Sequence, residues 1–307
     1  MSIQHNITVP AHPNIYSGTD RDLKIYFSEP SEGVNNQTGL IIFISGYGGH
    51  ANSKVYTKMR SQIADKYNLI CIQCDYFGYE FMQLEDKQES LENFNDMSLM
   101  QMIDNITAVL MIIEILKENN ISFNKRKVIC QGHSHGGYLA WLCNRFAPNL
   151  FSMVIDNSAY LRPLYLENYR SVPAINLMKR YYAVDLNLDK EIINLIDLYN
   201  DFSNDSKIVS FHGVHDELIG IFEKINFCNS VANCKLNVVN DVTLYNGAFK
   251  NSLHGMDADF FKFMDLVMEK YESEAQKDYY LPNMEVRTKR GQYTLDYSSG
   301  LVKLTVE

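Results

Sequence analysis

Short apolar runs, almost uninterrupted by polar residues, most strongly limit the folds open to this sequence. They lie at Leu40–Ile44, Leu69–Ile72, Val128–Cys130, Met153–Ile155 and Ile208–Phe211. Runs of this length and composition are typical of strands that are buried on both faces. Amphipathic stretches that suit helices separate them. This alternation predicts an α/β fold with a doubly wound, mostly parallel sheet.

The remaining elements follow the same periodicity arguments. The N-terminal runs Ile7–Val9 and Leu23–Phe27 indicate antiparallel strands at one edge of the sheet, and Leu236–Tyr245 predicts a further strand. Helices are predicted over Lys54–Lys66, about Met97–Glu118, Gly137–Phe146, Leu218–Ala232 and Asp257–Glu274.

Two regions depart from the alternation. Residues 159–204 predict a helical lid insertion that is rich in tyrosine and arginine, and its stretch Asp189–Tyr199 has a helical pattern. Turn signals and short strand patterns predict a small β meander over 277–307. We therefore expect one α/β domain spanning 1–307 that carries a lid and a C-terminal β extension.

Composition excludes some classes of partner. A formal charge of −9 argues against a nucleic-acid-binding face. The first residues lack a basic start followed by an apolar core, and the apolar stretch Ala108–Ile113 is too short to span a bilayer. We therefore expect a cytoplasmic protein with a small-molecule partner and no membrane association. A homo-oligomer is possible, with the β extension as one candidate edge.

Cysteine spacing indicates no metal or redox site. Cys71 and Cys74 form a C-x-x-C pattern, but their odd separation on a strand places them on opposite faces. A second ligand pair, which a structural zinc site would need, is missing from the neighbouring sequence. We expect buried thiols here.

The segment Gly132-His133-Ser134-His135-Gly136 matches Gly-x-Ser-x-Gly and lies between a predicted strand and a predicted helix. Glycines on both sides allow a sharp strand-to-helix turn that exposes the serine hydroxyl. A serine hydroxyl is a weak nucleophile unless a base activates it. Ser134 is therefore a candidate nucleophile only if suitable partners follow.

Suitable partners do follow in the chain. Asp216 lies in the loop after the predicted strand Ile208–Phe211 and is the candidate acid, with Glu217 as its fallback. Asp216 also suits a helix N-cap. His254, the only histidine after Asp216, is the candidate base. The order Ser, acid, His is that of many serine hydrolases.

A glycine-rich loop, Gly46-Tyr47-Gly48-Gly49, follows the first long buried strand. Such a loop can direct backbone N–H groups at a developing oxyanion, and we expect the N–H groups of Tyr47 and His135 to serve as donors. A phosphate-binding loop of the Walker type is excluded because no Gly-Lys-Ser/Thr follows.

Four segments, taken in order, make the chain resemble the α/β-hydrolase superfamily over roughly residues 20–275. They are Ser45–Gly49, Gly132–Gly137, His212–Asp216 and Leu253–Gly255. The resemblance implies Ser134 as nucleophile, His254 as base and Asp216 as the residue that orients the base, with no cofactor. Many members have histidine where this chain has Ser45.

Cys74–Tyr79 and Ile155–Ser158 also resemble a bacterial branch of this superfamily found near flagellin-glycosylation genes. That resemblance implies acyl groups on an unusual sugar.

Serine hydrolysis of an ester, through an acyl-enzyme, is thus the predicted function, and other functions remain open. The same residues could transfer the acyl group to a sugar or amine, or cleave a peptide. A hydrolase scaffold can also be a non-catalytic binding protein. His133 and His135, with His212 or His215, suggest a metal site, but a nearby carboxylate or third histidine in a metallohydrolase pattern is missing.

Overall fold

The computed structural model of the chain describes residues 2–83, 89–163, 186 and 188–307. Within these ranges the strands are β1 Ile3–Pro10, β2 Asp22–Glu29, β3 Gly39–Ile44, β4 Leu69–Cys74, β5 Val128–His133, β6 Met153–Asn157, β7 Lys207–Gly213, β8 Cys234–Val239, β9 Met284–Arg287, β10 Gln292–Asp296 and β11 Lys303–Val306. The helices are α1 Lys54–Tyr67, α2 Tyr79–Gln83, α3 Leu99–Glu118, α4 His135–Phe146, α5 Lys190–Ile193, α6 Leu195–Tyr199, α7 Ile221–Ser230 and α8 Phe260–Lys270.

The first eight strands form one sheet in the order β1-β2-β4-β3-β5-β6-β7-β8. Strands β3 to β8 run parallel to one another. Strand β1 pairs antiparallel with β2, and β2 pairs antiparallel with β4. The predicted doubly wound sheet with antiparallel strands at one edge is confirmed. The crossovers place the loops that follow β3, β5, β6 and β7 at the carboxyl edge of the parallel strands, where α/β proteins bind their ligands.

Helices cover both faces of the sheet, which explains the uninterrupted apolar runs. Along β3, Leu40, Ile42 and Ile44 pack into a cluster with α3 and α4, whereas Ile41 and Phe43 pack into a second cluster with α1 and α8. Cys74 lies in the first cluster and Cys71 in the second, so the two thiols are on opposite faces as predicted.

Side-chain caps decide where several helices begin. Ser53 Oγ accepts the N–H of Tyr56 at the start of α1, and the left-handed Asn68 ends this helix. Asp259 accepts the N–H groups of Phe261 and Lys262, so α8 begins at Phe260 and not at the predicted Asp257. Each such cap typically contributes about 1 kcal/mol to the stability of its helix.

The apolar stretch Ala108–Ile113 lies inside α3, which has 20 residues and is long and apolar enough to cross a membrane. The prediction from the sequence considered only this stretch, and the helix that contains it is longer. In the described part of the chain α3 is the one helix that passes this test, and 83% of its most apolar window is buried. Packing against β-strands and α4 accounts for its composition.

Two further predictions need correction. The strand predicted over Leu236–Tyr245 ends at Val239, and Tyr245 begins a short 3₁₀ turn. The helix predicted over Asp189–Tyr199 is interrupted at Asn194, which has an extended backbone and caps α6 with its side chain.

The rest of the predicted lid, residues 164–185 and 187, lies outside the described residues. At the other end of the chain, β9, β10 and β11 form a separate three-stranded antiparallel sheet. Tyr293 and Leu295 of β10 pack into the same apolar cluster as α3 and α4, so this sheet is attached to the main core.

Candidate active site

Ser134 lies in the sharp turn between β5 and α4. Its backbone has φ 55° and ψ −116°, a conformation that a non-glycine residue adopts only when its surroundings impose it. A Cβ atom on Gly132 would lie 2.0 Å from the carbonyl oxygen of Gly136, and one on Gly136 would lie 2.1 Å from that of Ile44. The two glycines are therefore required by close backbone approach, and the turn raises Ser134 at the carboxyl edge of the sheet.

The fold brings the three predicted residues into one hydrogen-bonded chain. Ser134 Oγ is 2.7 Å from Nε2 of His254, and Nδ1 of His254 is 2.8 Å from Oδ2 of Asp216. Ser134 and Asp216 are buried, whereas 22% of the His254 side chain is exposed. These residues are 120 and 38 positions apart in the sequence, so the arrangement depends on the folded sheet.

The surroundings of Asp216 favour its charged form. Burial alone would raise the pKa of this carboxyl, but the hydrogen bond and charge of His254 hold the pKa below its usual range. Oδ1 also accepts the backbone N–H groups of Leu218 and Ile219 at 2.9 and 3.2 Å. Asp216 can therefore hold Nδ1 of His254 in the protonated tautomer, which leaves Nε2 as an acceptor.

Glu217, the fallback acid, is exposed. Among the contacts of the described residues, the carboxylate that bonds His254 is that of Asp216 and not that of Glu217. The alternative interpretation of Asp216 as a helix N-cap is wrong, because α7 begins at Ile221 after the extended Gly220. Instead, Oδ1 of Asp216 closes a turn by accepting the N–H groups of Leu218 and Ile219, and Oδ2 contacts His254.

The glycine loop after β3 lies beside the serine turn. A Cβ atom on Gly46 would lie 3.1 Å from the carbonyl oxygen of His133 and 3.5 Å from Cβ of Ser134. The rings of Tyr47 and His135 meet edge to face with centroids 6.5 Å apart. His135 is the first residue of α4, where backbone N–H groups have no partner within the helix. The two predicted oxyanion donors are thus brought to the same edge of the sheet as Ser134.

The histidines of the suggested metal site have separate surroundings. Nε2 of His135 is 2.8 Å from Oε1 of Gln101, and burial lowers the pKa of His135 to about 3. Burial, with a further contribution from His254, lowers the pKa of His133 to about 4. His212 contacts the carbonyl of Ile219. In the described ranges, groups of three or more His, Cys, Asp or Glu side chains that could hold a metal ion are absent.

Sequence reasoning missed a segment that follows β6. Ser158 has φ 56°, and its Oγ accepts the N–H of Gly255, the residue after His254. Tyr160 lies against both Ser134 and His254. In the sequence Tyr160 is one of 20 tyrosines, and nothing in its local pattern distinguishes it from the others of the predicted lid.

Comparison with solved structures defines the fold. The chain has the α/β-hydrolase fold, and its neighbours include esterases and peptidases. Est1E from Butyrivibrio proteoclasticus is 15% identical with a TM-score of 0.53, over 85% of this chain and 96% of its own. An acylaminoacyl peptidase from Pyrococcus horikoshii is 12% identical with a TM-score of 0.61, over 91% of this chain and 43% of its own.

The chain spans only part of the length of the peptidases that it matches. It covers less than half of the Pyrococcus enzyme. It also matches 32% of a Bacteroides ovatus chain described as a dipeptidyl aminopeptidase IV, with a TM-score of 0.54 and 17% identity over 78% of this chain. The family described as "Protein of unknown function (DUF2920)" matches residues 81–193. A comparison with curated proteins gives no match.

Proposed function

We propose that this protein is a serine hydrolase that cleaves an ester or related acyl bond through an acyl-enzyme. One observation carries the proposal: the unbroken chain of contacts from Ser134 Oγ through His254 to Asp216, at 2.7 and 2.8 Å. Each distance lies within the reach expected of a nucleophile, its base and the residue that orients the base.

In the proposed reaction Ser134 Oγ attacks the acyl carbonyl carbon while Nε2 of His254 takes the hydroxyl proton. Asp216 keeps the imidazole in the correct tautomer and stabilises the imidazolium that forms. The N–H groups of Tyr47 and His135 would bind the oxyanion of the tetrahedral intermediate. His254 then gives its proton to the leaving alcohol, and water releases the acyl group by the same steps in reverse order.

For the substrate we propose an acylated sugar as the first candidate among esters. The sugar rests on the resemblance of Cys74–Tyr79 and Ile155–Ser158 to a bacterial branch associated with flagellin glycosylation. Screening should therefore include acetylated monosaccharides beside simple alkyl and aryl esters.

Fluorophosphonate labelling of the wild type and of Ser134→Ala tests the proposal. We expect covalent labelling at Ser134 in the wild type, no labelling in the variant, and ester turnover reduced by at least about 10³-fold with unchanged folding by circular dichroism. Ser206→Ala is the matched control, because Ser206 is also buried but lies before β7, away from the site, and its hydroxyl donates to the carbonyl of Phe151. Turnover retained in Ser134→Ala, or a wild type that resists labelling, would refute the proposal.

A further inference from the structure

Tyr160 contacts both members of the Ser134–His254 pair. Its hydroxyl oxygen is 3.3 Å from Ser134 Oγ. Its ring stacks on the imidazole of His254, with centroids 5.6 Å apart and 18° between the planes. Tyr160 is itself only 5% exposed, so solvent does not compete strongly for these contacts.

The backbone that carries Tyr160 is held in place by buried charges. The N–H of Ala159 donates to Oδ1 of Asp156 at 2.7 Å, and its carbonyl accepts from Nζ of Lys224 at 3.3 Å. A Cβ atom on Gly137 would lie 2.9 Å from Cβ of Ala159, which shows how closely this segment packs on α4. The position of Tyr160 is therefore a built feature of the fold.

In the contact between the two hydroxyls, Ser134 Oγ is the donor and the Tyr160 hydroxyl oxygen accepts. With Nδ1 of His254 protonated by its bond to Asp216, Nε2 is the other acceptor available to the single hydroxyl proton of Ser134. The contact therefore does not use the phenol proton of Tyr160, which can be donated to a substrate oxygen. Burial raises the pKa of Tyr160, so the phenol keeps this proton throughout the pH range in which His254 can act as a base.

We propose, building on the hydrolase function above, that Tyr160 is a catalytic residue that donates a hydrogen bond to the leaving-group oxygen. Once Ser134 Oγ has bonded to the acyl carbon and given its proton to His254, it no longer donates to Tyr160, and the phenol can direct its own proton at the leaving oxygen. The leaving oxygen departs beside Nε2 of His254, within reach of that hydroxyl. The carbon–oxygen bond of the leaving group breaks, His254 supplies the proton that neutralises the alkoxide, and Tyr160 retains its own.

This role defines a substrate class. A donor at the leaving oxygen matters most when that oxygen develops a large negative charge, which is the case for alkoxides of weakly acidic alcohols. A phenolate leaving group already delocalises its charge and needs less help. The site is thus suited to esters of aliphatic or sugar alcohols.

The test compares Tyr160→Phe with the wild type on acetate esters of ethanol, trifluoroethanol and p-nitrophenol. For the ethyl ester we expect kcat/KM to fall by about 10- to 100-fold, the range expected for a hydrogen bond to a charged group. For the p-nitrophenyl ester we expect a change of less than about 3-fold. Inactivation by diethyl aryl phosphates whose phenols differ in acidity repeats the comparison without an acyl group.

Tyr199→Phe is the matched control. Tyr199 is buried, and its hydroxyl donates to the carbonyl of Trp141, away from Ser134. We expect this variant to lower the melting temperature without changing the dependence of rate on the leaving group.

The possible outcomes are distinguishable. If Tyr160→Phe lowers kcat/KM equally for all leaving groups, or does not lower it, the proposed role of Tyr160 is overturned. The hydrolase function still stands in that case, provided that Ser134 is labelled. A wild type that is not labelled and turns over no ester overturns the hydrolase function, and the role of Tyr160 with it.

Discussion

Replacement of Lys224 by methionine should expose how much the fold depends on one buried ion pair. Nζ of Lys224 is 2.6 Å from Oδ2 of Asp156, and neither side chain is accessible to solvent. Trp141 and Ser210 also donate to the same carboxylate oxygen at 2.9 and 2.8 Å. Burial would raise the pKa of Asp156, but the charge and hydrogen bond of Lys224 outweigh it and hold the pKa below its usual range.

Lys224→Met retains most of the aliphatic side chain and removes the ammonium group. Asp156 is then a buried carboxylate without a counter-ion, and breaking a buried pair in this way typically costs about 3–5 kcal/mol. Because Trp141, Ser210 and the N–H of Ala159 still donate to Asp156, we expect about 3 kcal/mol, at the lower end of that range. Urea unfolding at pH 7 should show a lower midpoint with an unchanged m-value.

The pH dependence gives a second, independent readout. In the wild type the pKa of Asp156 is depressed, so its stabilising contribution is present above the unfolded value near 3.8 and is lost as the pH falls through the lower folded value. In Lys224→Met burial dominates and the pKa of Asp156 rises above that of the unfolded chain. The destabilisation should therefore be complete at neutral pH and should diminish as the pH falls through the raised pKa.

The double variant Asp156→Asn, Lys224→Met is the matched control. It buries no charge, so we expect it to recover most of the lost stability at pH 7 and to lose the unusual pH dependence. If Lys224→Met costs less than about 1 kcal/mol at pH 7, or if its deficit does not change between pH 7 and pH 4, the reasoning is wrong.

Two other predictions concern the serine turn and its partners. Asp216→Asn should reduce kcat by about 10⁴-fold in ester assays with little change in melting temperature, because the histidine loses its correct tautomer; a reduction below about 10-fold would contradict the role of Asp216. Gly136→Ala should destabilise the protein by about 3 kcal/mol in urea unfolding, the upper end of the usual cost of overpacking, since its Cβ would lie 2.1 Å from the carbonyl oxygen of Ile44. Gly220→Ala, with open space around the added Cβ, should stay within about 1 kcal/mol of the wild type, and equal effects of the two substitutions would contradict this account.

Local patterns were sufficient to predict the sheet because they reflect burial directly. A parallel strand covered on both faces needs apolar residues at consecutive positions, and β3 to β7 have them. Ser134 was recognisable for a similar reason, since a strand-to-helix turn this tight accepts only glycine at positions 132 and 136. Element ends were less accurate because caps such as Asp259 and Asn194 decide them by single hydrogen bonds.

The sequence by itself therefore determined the α/β-hydrolase fold and the chain order of Ser134, Asp216 and His254. It favoured Asp216 over Glu217 but left Glu217 as a fallback, because only the folded loop decides which carboxylate points at His254. It also did not identify Tyr160 or the buried pair of Asp156 and Lys224, whose contacts join β6, the segment after it and α7. Those contacts link residues far apart in the chain, and so only the tertiary structure could bring them together.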